Sequence, residues 1–388
     1  MIFISNGLLL IMGGWHANMQ PRRYFHLNKW PYIMSKLFSF SFSTSLLLGS
    51  LVQVCCAQST PSEFAELSLD QLFDMNITDG QEQNHSESRW SFAYNFKSAE
   101  FRGYLDGDAK RSDSSVLWQG QGTTRTDSNF PILPTVIDQQ VQIFSVGYRL
   151  NEDWRVHVSL PYITQSTDHI SIVDDYDHFT IDTDGFGDAV LSVSHRLVAT
   201  SDDVWWFTFG ASLPTGSIDE VGDTPRDVGD QQLPYTMQLG SGTYDFPLEF
   251  SYKSLGEHDF SLSMSAMLRT GKNDRDYRLG NSYSISGRYK FHATAKLKPY
   301  LGMEYQYRSA IHGQDNEITF AGPFPYPASI TNPKLYGGKK VSAQIGIRWQ
   351  FSEFYALRAE FSKPVYQHLN GPQPKENYRT GLTLSRLM

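Results

Sequence analysis

The chain ends Tyr378-Arg-Thr-Gly-Leu-Thr-Leu-Ser-Arg-Leu-Met388, and apolar and polar residues alternate almost to the terminus. Tyr378, Thr380, Leu382, Leu384 and Met388 fall on one side, and Arg379, Gly381, Thr383 and Ser385 on the other. A period of two is the signature of a strand whose two faces meet different surroundings. The stretch is about as long as a tilted strand crossing a bilayer, roughly 9–11 residues. Similar dyads recur upstream. They predict an all-β protein: a transmembrane, antiparallel, up-and-down β-barrel of about 12 strands.

Alternation places the strands near 89–101, 139–150, 153–163, 186–198, 203–213, 239–253, 258–269, 281–292, 296–309, 340–351, 354–365 and 377–388. Their connections alternate in length. Long ones cover 104–138, 164–185, 214–238, 270–280, 310–339 and 366–376, and tight ones lie around Glu152, Ser201, Gly256, Thr294 and Glu353. Bacterial outer-membrane barrels sort their connections this way, short inside and long outside, with an even strand number. A soluble sandwich has no reason to.

The faces agree. Trp205, Phe207, Phe209, Ala211 and Leu213 share one side of their strand, as do Val341, Ala343, Ile345, Ile347, Trp349 and Phe351. Aromatics near strand ends, among them Trp90, Tyr148, Trp154, Tyr252, Tyr289 and Tyr355, suit interfacial girdles. The opposite faces are charged. Arg155, Glu249, Arg269, Arg288, Glu304, Arg308, Arg348, Arg358, Glu360 and Arg379 are the candidate lumen-lining residues. An Arg against lipid at the midplane would cost about 2–4 kcal/mol, so this many are expected to face a lumen. There they either interlock as Arg–Glu pairs that stiffen the interior or form a constriction that selects solutes by charge.

No run of 18 apolar residues occurs, so no spanning helix is required. Met34-Ser-Lys36 resembles the charged start of a secretory signal peptide, Leu37 to Val54 its apolar region, and Cys55-Cys56-Ala57 its cleavage site. The expected organisation is an N-terminal extension and signal over 1–57 with Met34 as the true start, a periplasmic segment over 58–87, and a barrel over 88–388. Cys55 and Cys56, the only cysteines, would leave with the signal, so no disulfide or thiolate metal site is expected. The chain carries 33 Lys+Arg and 41 Asp+Glu. Four of those bases and none of the acids lie in 1–57, which leaves the remainder at −12. That balance disfavours nucleic acid as a partner.

Three strings carry a family resemblance. Gly185-Phe-Gly-Asp188 opens one strand, Leu213-Pro-Thr-Gly216 closes the next, and Gln238-Leu-Gly-Ser-Gly-Thr-Tyr-Asp245 opens the one after. In this order and spacing the chain resembles, over roughly 139–388, the outer-membrane transporter family named for the phenol meta-cleavage degradation pathway. The resemblance implies a single-chain barrel that passes small molecules, often hydrophobic or aromatic, and it carries no catalytic residues. Met388 stands where such barrels commonly end in Phe, and Arg386 where an apolar residue is usual. Read from the residues alone, the glycines permit bends at a rim. Asp188 and Asp245 are expected to turn inward and accept bonds from luminal arginines.

Other constellations have plainer readings. His157-Val-Ser159 resembles the His-x-Ser of outer-membrane phospholipase, but the apolar Val156, Val158 and Leu160 imply that the pair points inward, away from lipid. Asp174-Asp175-Tyr-Asp177-His178 reads as a solvated loop face. Asp182-Thr-Asp184-Gly-Phe-Gly-Asp188 has oxygen ligands at alternating positions but lacks a closing Glu for Ca²⁺. Phe320-Ala-Gly-Pro-Phe-Pro-Tyr-Pro327 is the candidate constricting loop. Catalytic residues, metal sites and cofactors are not expected.

The expected function is passive passage of small solutes, anionic or aromatic organic compounds among them, through a porin-like channel in the outer membrane of a Gram-negative bacterium. A barrel enzyme acting on lipid and a plugged structural or adhesive barrel are the alternatives. The expected partners are outer-membrane lipid and lipopolysaccharide, the barrel assembly machinery and the solute, with the chain a monomer or small homo-oligomer.

Overall fold

Residues 89–255 and 259–387 are described by the computed structural model of this chain. The expected signal (1–57), periplasmic segment (58–87) and Gly256 turn lie outside the described residues. The strands are β1 (Trp90–Gly107), β2 (Ile132–Arg149), β3 (Trp154–Ser171), β4 (His178–Phe186), β5 (Ala189–Ala199) and β6 (Asp203–Leu213). They continue as β7 (Asp245–Ser254), β8 (Asp259–Arg269), β9 (Ser282–Lys290), β10 (Leu297–Arg308), β11 (Gly338–Gln350) and β12 (Tyr355–Leu387). Apart from β4, which pairs with β3 alone, each is hydrogen-bonded antiparallel to the strands before and after it in the barrel, and β12 pairs with β1, so the sheet closes on itself. Closure removes the unpaired edges that an open sheet would expose.

Two elements depart from one strand per stave. β4 and β5 both pair with β3, β4 along its outer half and β5 along its inner half. They form one stave broken at Gly187–Asp188, where Gly187 N–H still donates to Pro161 O at 2.9 Å. β12 does the opposite. Its first part runs up β11 from Ala356 to Leu369, and its second runs down β1 from Leu369 to Leu387. It turns back near Gly371, whose φ of 100° suits glycine. Gln367 Nε2 donates to Glu376 O at 2.9 Å near the turn, and Ser385 Oγ to Ala356 O at 3.3 Å at the far end, tying the two arms together. Counted by staves, the barrel has about twelve.

The outward face is apolar. Phe144, Val158, Phe209, Met264, Leu301, Met303, Ile345 and Phe361 are all exposed. A soluble surface would not present so continuous an apolar band, whereas a bilayer's hydrocarbon core requires one. Aromatic pairs mark the tight-turn end: Trp90 with Tyr148, Trp205 with Tyr252, and Phe351 with Tyr355. Among the described residues no helix is long and apolar enough to cross a membrane.

Several strands run further than alternation of apolar residues indicates. Residues 164–171, 178–185 and 366–376, expected as loop, are largely ladder. Both faces of β3 are polar there: Gln165, Thr167 and His169 are buried, while Thr164 and Asp168 point out. Beyond the hydrocarbon layer an outward residue need not be apolar, so the dyad fades although the pairing continues. Residues 239–244 err the other way and are not strand. All but Tyr244 fold inward, and Gly242, at φ 67°, leaves no room for a Cβ beside Asn273 and Ile218.

Two outer connections enter the barrel mouth. Leu239, Ala328 and Ile330 are buried against Ala99, Phe101, Ile137, Val141, Ile143 and Ile163, an apolar patch on the inner face of β1, β2 and β3. Met237 and Leu233 pack on Ile181. Thr183 Oγ1 donates to Met237 O at 2.9 Å. The stretch Phe320–Pro327 is not the part that enters. Phe320 and Phe324 are exposed, and Arg125 holds this stretch outside by donating to Tyr326 O at 2.9 Å. The inserted part is its neighbour, Ala328 to Tyr336, whose small and aliphatic side chains fit the apolar inner wall.

Candidate functional site

Strand parity turns one row of each stave inward. Among the buried wall residues are nine cations: Lys97, Arg155, Lys253, Arg269, Arg288, Lys290, Lys298, Arg348 and Arg358. Five anions accompany them: Asp245, Glu249, Asp259, Glu304 and Glu376. Glu360, Arg379 and Arg308 share the same inward faces and are half-buried. The whole chain is nevertheless net −8. Positive charge is thus gathered inside, and negative charge lies largely on the loops.

Four of the ten expected lumen residues meet in one network across β9, β10, β11 and β12. Arg379 Nη2 bonds Glu376 Oε2 at 3.0 Å, and its Nη1 lies 3.9 Å from Glu304 Oε2. Gln344 Nε2 donates to Glu304 Oε2 at 3.3 Å, and Arg288 Nε to Gln344 Oε1 at 3.4 Å. Arg288 also lies 3.9 Å from Glu360, which accepts from Tyr300 OH at 2.6 Å. Lys340 pairs with Glu376 at the outer end. Missing side chains make this crossing possible. A Cβ on Gly346 would meet the Tyr300 ring at 2.3 Å, and one on Gly302 would meet Arg288 Cγ at 3.0 Å.

The other six are spread along the wall. Arg155 lies over the Trp206 ring, 4.2 Å from its centroid. Arg269 pairs with Asp245 near the outer rim. Glu249 is buried between Thr208 and Ser265 in the ladder register, and Arg308 sits between Ser282 and Gly338. Arg348 is the cross-strand partner of both Lys298 and Arg358. Three cations therefore stand side by side near the tight-turn end, an arrangement that costs stability unless negative charge offsets it. Lys298 and Lys290 both lie 3.5 Å from Asp259.

Strand parity also points to Lys97, Lys298 and Lys340, which are not among the ten expected residues. Glu376 was hidden because its segment reads as loop. Asp188 accepts from Gly216 N–H at 3.0 Å, Ser241 N–H at 2.8 Å and Ser241 Oγ at 2.6 Å, and the charge of Arg269 lies close enough to act on it. Asp188 therefore ties together the three glycine-bearing strings on which the family resemblance rests. Asp182 and Asp184 lie on the exposed face of β4 and do not converge with it. His157 and Ser159 are buried inside the barrel, so neither meets lipid.

The loop cluster over the mouth is aromatic. Tyr235 packs edge-on against Tyr277 at 4.8 Å and Tyr336 at 5.5 Å. Burial pushes the Tyr235 and Tyr277 phenols well above the ordinary value. Around them Arg275 gathers Asp219 at 2.7 Å, Asp315 at 3.3 Å and Glu317 at 3.0 Å.

Fold and interior together define a membrane β-barrel with an apolar exterior, a cation-rich interior and loops folded into one mouth. No family model matches the chain, and no curated protein does. Among solved structures it is similar to an outer membrane channel from Pseudomonas putida F1, at 15% identity and a TM-score of 0.49 over 80% of this chain and 100% of that one. A Pseudomonas aeruginosa FadL homologue is similar at 10% identity and a TM-score of 0.38, over 77% of this chain and 90% of that one. The translocator domain of the autotransporter NalP from Neisseria meningitidis gives 9% and 0.36, over 82% and 94%.

Proposed function

We propose that this barrel sits in the outer membrane of a Gram-negative bacterium and lets small solutes pass down their gradients, with a preference for anions. One observation carries the reading: nine buried wall cations against five anions in a chain that is net −8 overall. Burying cations is costly without a use for them, and a cation-rich passage raises the local concentration of anions. The inserted segments around Leu239 and Ile330 act as a gate in the outer mouth, so passage requires them to swing out. Lipid hydrolysis is not favoured, because His157 and Ser159 face inward.

The test is single-channel conductance of the folded barrel under a salt gradient, for the native chain and for Ile330→Asp. Ile330 is fully buried in the apolar cluster. A carboxylate there is not accommodated without a partner, so the variant is expected to release the gate and conduct more often. Discrete anion-selective steps that become more frequent in the variant are the expected result. Two folded, silent barrels would overturn the reading in favour of a closed, structural one.

A further inference from the structure

At the outer end of the inserted segment lies an open cleft of about 630 Å³, within the roughly 300–1,000 Å³ range typical of small-molecule sites. Ile311, Pro333 and Tyr326 line it on the apolar side, and Lys334, Asn316 and His312 on the polar side. Ile311 N–H donates to Pro333 O at 3.2 Å, fixing these two parts of the lining to each other. We propose that this cleft binds a small organic carboxylate with a flat apolar body. The reading of the barrel as a conduit enters only in deciding which side of the membrane the cleft faces.

Charge argues for a monoanion. Lys272 is offset by Asp276 at 3.5 Å, within the same lining. Lys334 is exposed and makes no ion pair among the described residues. The flanking acids do not compete for it, since Arg275 already holds Asp219, Asp315 and Glu317. The neutral donors are ordered. Tyr326 OH donates to Gln314 Oε1 at 3.0 Å, and Gln314 Nε2 donates to Asn316 Oδ1 at 2.8 Å. That relay occupies the Asn316 oxygen and leaves its NH₂ as a donor. His312 is held below the ordinary imidazole range by burial and then by Arg278, so at neutral pH it is an uncharged donor. A carboxylate would meet Lys334 and the Asn316 amide, and its apolar body would lie on Pro333, Ile311 and Tyr326.

Pro333 follows directly on the buried turn Ser329–Thr331 and Asn332, part of the gate. A ligand in the cleft therefore touches the outer end of the segment that closes the mouth.

The test is calorimetric titration of the full, detergent-solubilised barrel with benzoate, with acetate, benzyl alcohol and benzylammonium as controls. Benzoate should saturate one site and bind more tightly than all three. Lys334→Gln should weaken benzoate by about fivefold, the upper range for one exposed charge pair, and leave benzyl alcohol unchanged. Benzoate binding that ignores Lys334→Gln, benzylammonium binding as tightly, or no saturable benzoate signal would each overturn the site. Bilayer conductance of the same preparation keeps the two readings apart. A conducting barrel that fails to bind benzoate sinks only the site, and a silent barrel that binds it sinks only the conduit.

Discussion

Tyr300 and Gly346 show how much a single inward position depends on its neighbour across the ladder. They are cross-strand partners on β10 and β11. The tyrosine ring lies across the glycine to reach Glu360 on the next strand, at 2.6 Å. Gly346→Ala would put a Cβ 2.3 Å from Tyr300 Cζ. The ring must then leave, and both its packing and its bond to Glu360 are lost. Overpacking of this kind costs about 1–3 kcal/mol, read as a lower urea midpoint for the folded barrel. Tyr300→Ala in the same chain removes the clash, so the pair of substitutions should cost less than the sum of the two. Strict additivity would show that the ring does not cross there. That Tyr300 faces inward was legible from Leu301 and Met303, which take the opposite parity and face out. That its ring spans a strand was not, because the vacancy it fills belongs to a residue on another strand.

The staves were legible and the two inserted segments were not, for the same physical reason. A lipid-facing strand must alternate, so Phe207, Phe209, Ile345 and Ile347 announce their strands and register. The segments Leu233–Leu239 and Ala328–Tyr336 are buried by tertiary contact alone, with short turns and no period to read. Phe320–Pro327 drew attention through its aromatics, yet those side chains remain outside and the plainer Ala328 and Ile330 go in. The aromatic cluster over the inserted segments gives a pH test. Burial raises the Tyr235 and Tyr277 phenols above the ordinary 10.0, so the packed loops resist ionisation that the loosened loops accept. Their contribution to loop stability is therefore complete below about pH 10 and is lost as pH rises through the folded values. Proteolytic nicking of the outer loops should accelerate as pH rises above about 10 while the strand signal in circular dichroism persists. Replacing both tyrosines by phenylalanine should flatten that dependence. Equal acceleration in the double variant would assign the effect to other groups.

Across the whole molecule, charge is sorted by place. The outer loops carry acids such as Asp174, Asp175, Asp219 and Glu220, and the interior gathers cations, densest where Lys298, Arg348 and Arg358 face one another across three strands. Sequence parity was enough to place Arg348 and Arg358 on one side of their strands. Their meeting with Lys298 in one row depends on ladder register, which is set by pairing and tight turns rather than by either strand alone. If the interior conducts, this row sets the field at its inner end. Changing all three residues to Gln removes three of the nine buried wall cations. The reversal potential in a salt gradient should then move from the anion side towards zero. Removing like charges that stand directly opposite one another relieves the ladder, while losing the Lys298 contact with Asp259 at 3.5 Å offsets that gain, so the strand signal of the folded variant is compared with that of the native barrel first. The shift should be large near 0.1 M salt, where screening acts over about 10 Å, and small at 1 M, where it acts over about 3 Å. A reversal potential unchanged by the triple substitution at low salt would mean that ions do not pass this row, and the selectivity would have to be sought at the outer mouth, where Arg269 pairs with Asp245 beneath the gate.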